Sequence, residues 1–169
     1  DRLRKACKAA GAELVAIDVN PVDEVWTDQP PAPLGPATAY PEEFAGLKSA
    51  EKRRLVAEGL RESGADAVVL SAPDSIAWLL NIRGSDVPNT PLALSFAIVH
   101  ATGSVDWYVD PRKLTTATRS ALDDGVTVKD PAQFGAGLQA LGAAGKSVRL
   151  DAASIPEAVR SLLAEAGAD

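Results

Sequence analysis

The chain holds 169 residues, 46% hydrophobic and 24% charged, the balance of a globular protein rather than of a disordered or membrane-spanning one. A net charge of −6 disfavours a nucleic-acid or anionic-membrane partner, because a phosphate backbone is bound through clustered Lys and Arg. The single cysteine, Cys7, excludes an internal disulfide, and the longest mostly apolar run, Pro91 to Val99, falls far short of the roughly 20 residues that cross a bilayer.

In chain order, Arg2 to Ala10, stopped by Gly11, predicts a helix end, and Glu13 to Ile17 a short strand. Residues 1–20 are too little to fold alone and read as the C-terminal remnant of a preceding domain. The chain opens at Asp1 and has no Met, which fits a piece of a longer protein. Its charged opening segment lacks the apolar run and small-residue cleavage site of a secretory signal, so a cytoplasmic location is expected. Residues 21–46 read as a linker, since the prolines from Pro21 to Pro41 exclude regular helix or central strand. Pro30, Pro33 and Pro36 make two P-x-x-P spacings that would suit an SH3-type partner, although a rigid spacer has the same composition.

Residues 47–169 then read as one alternating α/β domain. Ser49 caps a helix to about Ser63 that turns Leu55, Val56 and Leu60 inward and ends at Gly64. Ala67 to Leu70 is a short buried strand. Pro73 and Asp74 start a second helix, with Asp74 as its cap and Ile76, Ala77, Leu79 and Leu80 as its apolar faces. Asn81 to Pro91 is an irregular loop. Ala93 to His100 and Val105 to Val109 form an antiparallel hairpin around a turn containing Gly103. A helix at Thr116 to Leu122, a strand at Val126 to Val128, a helix at Ala132 to Leu141, a strand at Val148 to Leu150 and a helix from Pro156 complete the pattern. The expected architecture is a mixed β-sheet flanked by helices on both faces, preceded by the helix-strand remnant and the Pro-rich linker.

The inventory of chemistry is thin. The one histidine, His100, stands at a strand end with no second His or Cys at ligand spacing, and reads as a structural residue. Cys7 reads as an incidental thiol. The acidic pairs Asp23–Glu24, Glu42–Glu43 and Asp123–Asp124 read as solvated surface, because adjacent side chains point apart. Gly135 and Gly137 lack the Gly, Lys and Ser/Thr positions of a phosphate loop. No catalytic, cofactor-binding or metal-ligating residue is assigned.

The most informative segment runs from Asp74 to Val87. Trp78 is most simply a core residue, whereas Asn81, Arg83 and Asp86 crowd one irregular loop whose backbone needs side-chain partners. Two readings stand: a self-bonded loop with an Arg83–Asp86 pair, or an inter-domain or substrate-access contact formed by Trp78, Asn81, Arg83 and Asp86.

This segment, above all Ile76 to Asp86, resembles a recurrent signature in the second domain of three-domain Xaa-Pro aminopeptidases of the aminopeptidase P type. Val25 to Asp28 with the prolines after them, the opening Ser49 to Lys52, and the run Val109 to Lys113 are similar too, so that the resemblance covers nearly the whole chain. It implies the creatinase/prolidase N-terminal fold, a mixed sheet flanked by helices. It also implies a hydrolase that removes the N-terminal residue preceding proline, using a separate C-terminal domain that holds a divalent metal pair, manganese or zinc. Those metal ligands are two Asp, one His and two Glu, and no stretch here matches them, so the expected cofactor of this chain is none and its expected state alone is inactive. The expected partners are its own catalytic domain, a proline-containing peptide and a second copy of the intact enzyme, with no nucleic acid and no membrane. Two rivals remain: a non-catalytic peptide-binding or scaffold protein, and the N-terminal domain of a prolidase or creatinase relative.

Overall fold

The computed structural model describes residues 2–169 apart from Ala16 and Asp18, and divides into two compact units, Asp1–Ala32 and Pro33–Asp169.

In the first unit, helix α1 (Arg2–Ala9) gives way to Gly11 at φ 71°, a left-handed conformation that suits glycine. The strand expected at Glu13 to Ile17 is not formed by its described residues. A strand must pair its backbone N–H and C=O groups with a neighbour, and here Val15 and Ile17 stand exposed instead. Helix α2 (Pro21–Val25) corrects the expectation that prolines bar helix from this stretch. Pro21 occupies the first helical position, where its missing N–H costs nothing, and the Asn20 side chain accepts from the Val22 N–H at 3.1 Å.

The second unit begins at Pro33, ahead of the boundary expected at residue 47. The cause is pairing: strand β1 (Thr38–Ala39) lies antiparallel to β3 (Ile82–Arg83), with Thr38 opposite Arg83 and Ala39 opposite Ile82. Ala37 is fully buried, its N–H bonded to the Lys113 carbonyl and its own carbonyl to the Thr118 hydroxyl. The short helix α3 (Glu42–Ala45) leads into α4 (Ser49–Glu62). Lys48, not Ser49, is the cap residue of α4, and the Glu51 carboxylate accepts its N–H at 3.2 Å.

The main sheet has five strands in the order β6-β5-β4-β2-β7, namely Val126–Lys129, Val105–Tyr108, Phe96–His100, Ala67–Leu70 and Val148–Arg149. Its centre is antiparallel, and both edge strands pair in parallel. Alternation along the strands sends residues to opposite faces: Ala97, Val99, Val105 and Trp107 join Ile76, Leu79 and Leu80 of α5 (Pro73–Leu80). Val69, Ile98 and Tyr108 instead join Phe134 and Leu138 of α7 (Phe134–Ala143) and Leu163 of α8 (Glu157–Ala166). Helix α6 (Thr116–Ala121) precedes β6. Helices cover both faces, as the alternating pattern predicts.

Two side chains expected inside are outside. Leu55 is 46% exposed and Trp78 50% exposed. At about 100° per residue, Trp78 stands on the side of α5 opposite Ile76 and Leu80, which already fill the core-facing stripe. The α5 cap is Ala72 rather than Asp74, with Pro73 at the first helical position; the Asp74 carboxylate accepts the Ser75 N–H at 2.8 Å.

Candidate functional site

Helix α5 stops because Asn81 adopts the left-handed conformation, φ 52° and ψ 48°, while its N–H still reaches the Ala77 carbonyl. Asparagine tolerates this geometry better than most residues. The chain then enters β3, which converts part of the expected irregular loop into paired strand. The Asn81 side chain works in two directions: its Nδ2 donates to the Leu47 carbonyl at 2.8 Å, and its Oδ1 accepts from Lys52 Nζ at 2.6 Å.

Lys52 projects from α4 and is 2% exposed. Its ammonium also donates to the Trp78 carbonyl at 3.0 Å and lies 4.8 Å from the centre of the Trp78 ring. Burial, and secondarily the charge of Arg83, lowers its pKa below the ordinary lysine value. Arg83 donates through Nη1 to the Ile82 carbonyl at 2.9 Å and the Ala77 carbonyl at 3.3 Å, and its guanidinium carbon sits 4.0 Å from the centre of the Tyr40 ring. Two cations thus meet the last carbonyls of α5, the end of a helix that favours positive charge.

Asp86 turns the other way. The expected Arg83–Asp86 pair is not formed; the Asp86 side chain is 0% exposed and pairs with Lys113 Nζ at 2.6 Å. It accepts from the Gly35 N–H at 2.9 Å and the Leu94 N–H at 2.7 Å as well, so one carboxylate ties the lead-in segment, the loop and the segment after β5 together. Gly84 makes that closure possible, because a Cβ there would lie 2.3 Å from the Ala93 nitrogen.

The structure therefore gathers Trp78, Asn81 and Arg83 at the end of α5 and assigns Asp86 to the interior. Sequence reasoning missed Lys52, Tyr40 and Lys113. A lysine on an amphipathic helix normally reads as surface, and nothing local to Lys52 or Lys113 signals burial. His100 bonds Asp106 at 3.2 Å across the β4–β5 hairpin. Asp123, expected to be mere surface, is instead the ion-pair partner of the buried Arg53 and accepts the Gly125 N–H at 2.9 Å. Among the described residues no group of three or more His, Cys, Asp or Glu is placed to hold a metal ion, and no helix is long and apolar enough to cross a membrane.

The chain is 41% identical over 130 residues to a probable Xaa-Pro aminopeptidase P of Arthroderma gypseum, covering 76% of this chain and 20% of that protein. It is 35% identical over 131 residues to aminopeptidase P1 of Arabidopsis thaliana, covering 77% and 20%. Among solved structures it is similar to the X-prolyl aminopeptidase of Caenorhabditis elegans, described as a cytosolic enzyme with a di-nuclear active site. That match has a TM-score of 0.77 and 32% identity, and covers 88% of this chain and 25% of that one. The chain thus spans about a fifth of the length of the curated relatives it matches. The model of the Creatinase/Prolidase N-terminal domain family matches residues 28–168, and with the five-stranded mixed sheet flanked by helices this places the chain in that family.

Proposed function

We propose that this chain is a non-catalytic segment of a metal-dependent Xaa-Pro aminopeptidase, and that its second unit packs on the catalytic domain and shapes peptide access to it. The hydrolytic chemistry, with a divalent metal pair of manganese or zinc, belongs to that other domain; the whole enzyme works on proline-containing peptides in the cytoplasm and pairs as a homodimer. The observation that carries the reading is the end of α5. Trp78 is half exposed, and Arg83 is partly exposed beside it in sequence and fixed by two carbonyls and the Tyr40 ring. Exposed Trp and Arg held rigid are the side chains that dominate binding surfaces. The similarity to Xaa-Pro aminopeptidases supports the choice of enzyme.

The test compares the 169-residue chain with a protein that continues past Asp169 through the catalytic domain, both assayed on an Xaa-Pro peptide with added manganese. Turnover by the longer protein and none by the chain alone is the expected result. A longer protein that folds and binds the peptide without cleaving it would favour the scaffold reading.

A further inference from the structure

Among the described residues three cations are buried: Lys52, Arg53 and Lys113. Arg53 has Asp123 and Lys113 has Asp86. Lys52 has a carbonyl, an amide oxygen and the Trp78 ring, and among the described residues no carboxylate stands at ion-pair distance from it or from its neighbour Arg83. The two are close enough that the charge of Arg83 shifts the titration of Lys52. The helix end they cap supplies about half a negative charge against two full positive ones. More than one unit of positive charge is therefore left without an ion-pair partner among the described residues, in a chain whose net charge is −6.

The guanidinium of Arg83 is also half used. Nη1 makes both of its hydrogen bonds, whereas Nε and Nη2 make none among the described residues. Those two atoms form the edge on which a guanidinium takes a carboxylate through two parallel bonds. The Tyr40 ring 4.0 Å from Cζ holds the plane in place, so little side-chain freedom is lost when a ligand binds, and Arg83 keeps partial access to solvent.

We propose that the open Nε–Nη2 edge of Arg83 is a binding site for a peptide carboxylate, with Tyr40 as its platform and Lys52 as the second positive charge behind it. The carboxylate comes from a peptide C-terminus or from an acidic side chain; the chemistry is the same and the sources separate experimentally. The site does not depend on the peptidase reading, since it uses this chain's own residues alone, and a null result would leave that reading standing.

The experiment is an NMR titration of the 169-residue chain at constant ionic strength, following Arg83 Nε–H and the Trp78 indole N–H. The probes are acetyl-Gly-Pro with a free C-terminus, the same peptide as its amide, acetyl-Glu amide, and inorganic phosphate. A saturable shift of Arg83 Nε–H and, through Lys52 against its ring, of the Trp78 indole N–H is expected with at least one carboxylate peptide, and none with the Gly-Pro amide. A response to acetyl-Gly-Pro alone identifies a peptide terminus as the source; a response to acetyl-Glu amide identifies a side chain. Lys52→Gln is expected to weaken binding several-fold. Arg83→Lys, which retains charge but not the two-atom edge, is expected to abolish the saturable response of the Trp78 indole while leaving the backbone amide map native. Equal responses to free acid and amide, no response at all, a stronger response to phosphate than to either carboxylate, or an unaltered titration in a folded Arg83→Lys chain would overturn the proposal.

Discussion

Asp86 and Lys113 form an ion pair that the protein encloses almost completely, 2.6 Å between oxygen and nitrogen with side-chain exposures of 0% and 5%. Asp86→Ala strands the buried Lys113 ammonium and removes the acceptor of two backbone N–H groups, from Gly35 and Leu94. Removing one partner of a buried pair costs about 3–5 kcal/mol. Lys113→Met should cost less, because Asp86 keeps both backbone donors. Urea unfolding of the two variants checks the order; an Asp86→Ala loss smaller than that of Lys113→Met would contradict the clamp.

Gly137 lies inside α7 because of Tyr108. A Cβ at position 137 would stand 2.1 Å from the Tyr108 hydroxyl and 3.0 Å from its Cζ, and the ring cannot retreat, since Tyr108 is 0% exposed and packs edge-on against Phe134. Ala would ordinarily strengthen a helix by about 1 kcal/mol over Gly. Here overpacking at about 1–3 kcal/mol wins, so Gly137→Ala lowers the melting temperature. Tyr108→Phe removes the worst clash, and the double variant should recover most of the loss. Equal effects of Gly137→Ala in both backgrounds would refute the contact.

The Tyr108 hydroxyl also sets an alkaline limit. It is buried without a hydrogen-bond partner among the described residues. Burial, with the Asp106 charge secondarily, pushes its pKa up to about 12, whereas an unfolded tyrosine ionises near 10. Above pH 10 the unfolded chain therefore binds fewer protons than the folded one, and stability falls as pH rises. The contribution is whole below pH 10 and lost through pH 12; by pH 11 it amounts to about 1 kcal/mol. Subtracting the pH profile of Tyr108→Phe from that of the parent isolates this step. A flat difference between pH 9 and 11 would show that the phenol ionises freely when folded.

Local signals were legible in the sequence where one short stretch decided the outcome. The strand Ala67–Leu70, the helix Pro73–Leu80 and the hairpin around Gly103 follow from periodicity and turn chemistry, and the helix-flanked mixed sheet follows from their alternation. Distant partners were not legible. The Thr38–Ala39 strand exists only because Ile82–Arg83 lies beside it, and Asp86 turns inward only because Lys113, 27 residues on, meets it. The same limit applied to the candidate site. Asn81 and Arg83 stood out as polar residues crowded after an apolar helix, but Lys52, within α4, reads in its own helix as one more surface charge. Leu55 and Trp78 mark the opposite failure, apolar residues left on the exposed sides of their helices.

The central claim is that the end of α5 shapes access to a catalytic domain. The most direct measurement is kcat/KM for an Xaa-Pro peptide in a protein that joins this chain to the proposed catalytic domain, compared between the parent and Arg83→Ala, with thermal unfolding in parallel. Loss of a rigid Arg contact worth about 1.4 kcal/mol corresponds to a tenfold change. The account predicts a fall in kcat/KM of about that size in a variant that stays folded, with only the small drop in melting temperature that follows from losing the two carbonyl bonds. Unchanged kcat/KM in a folded variant would contradict it and leave Arg83 as a cap of α5 and nothing more.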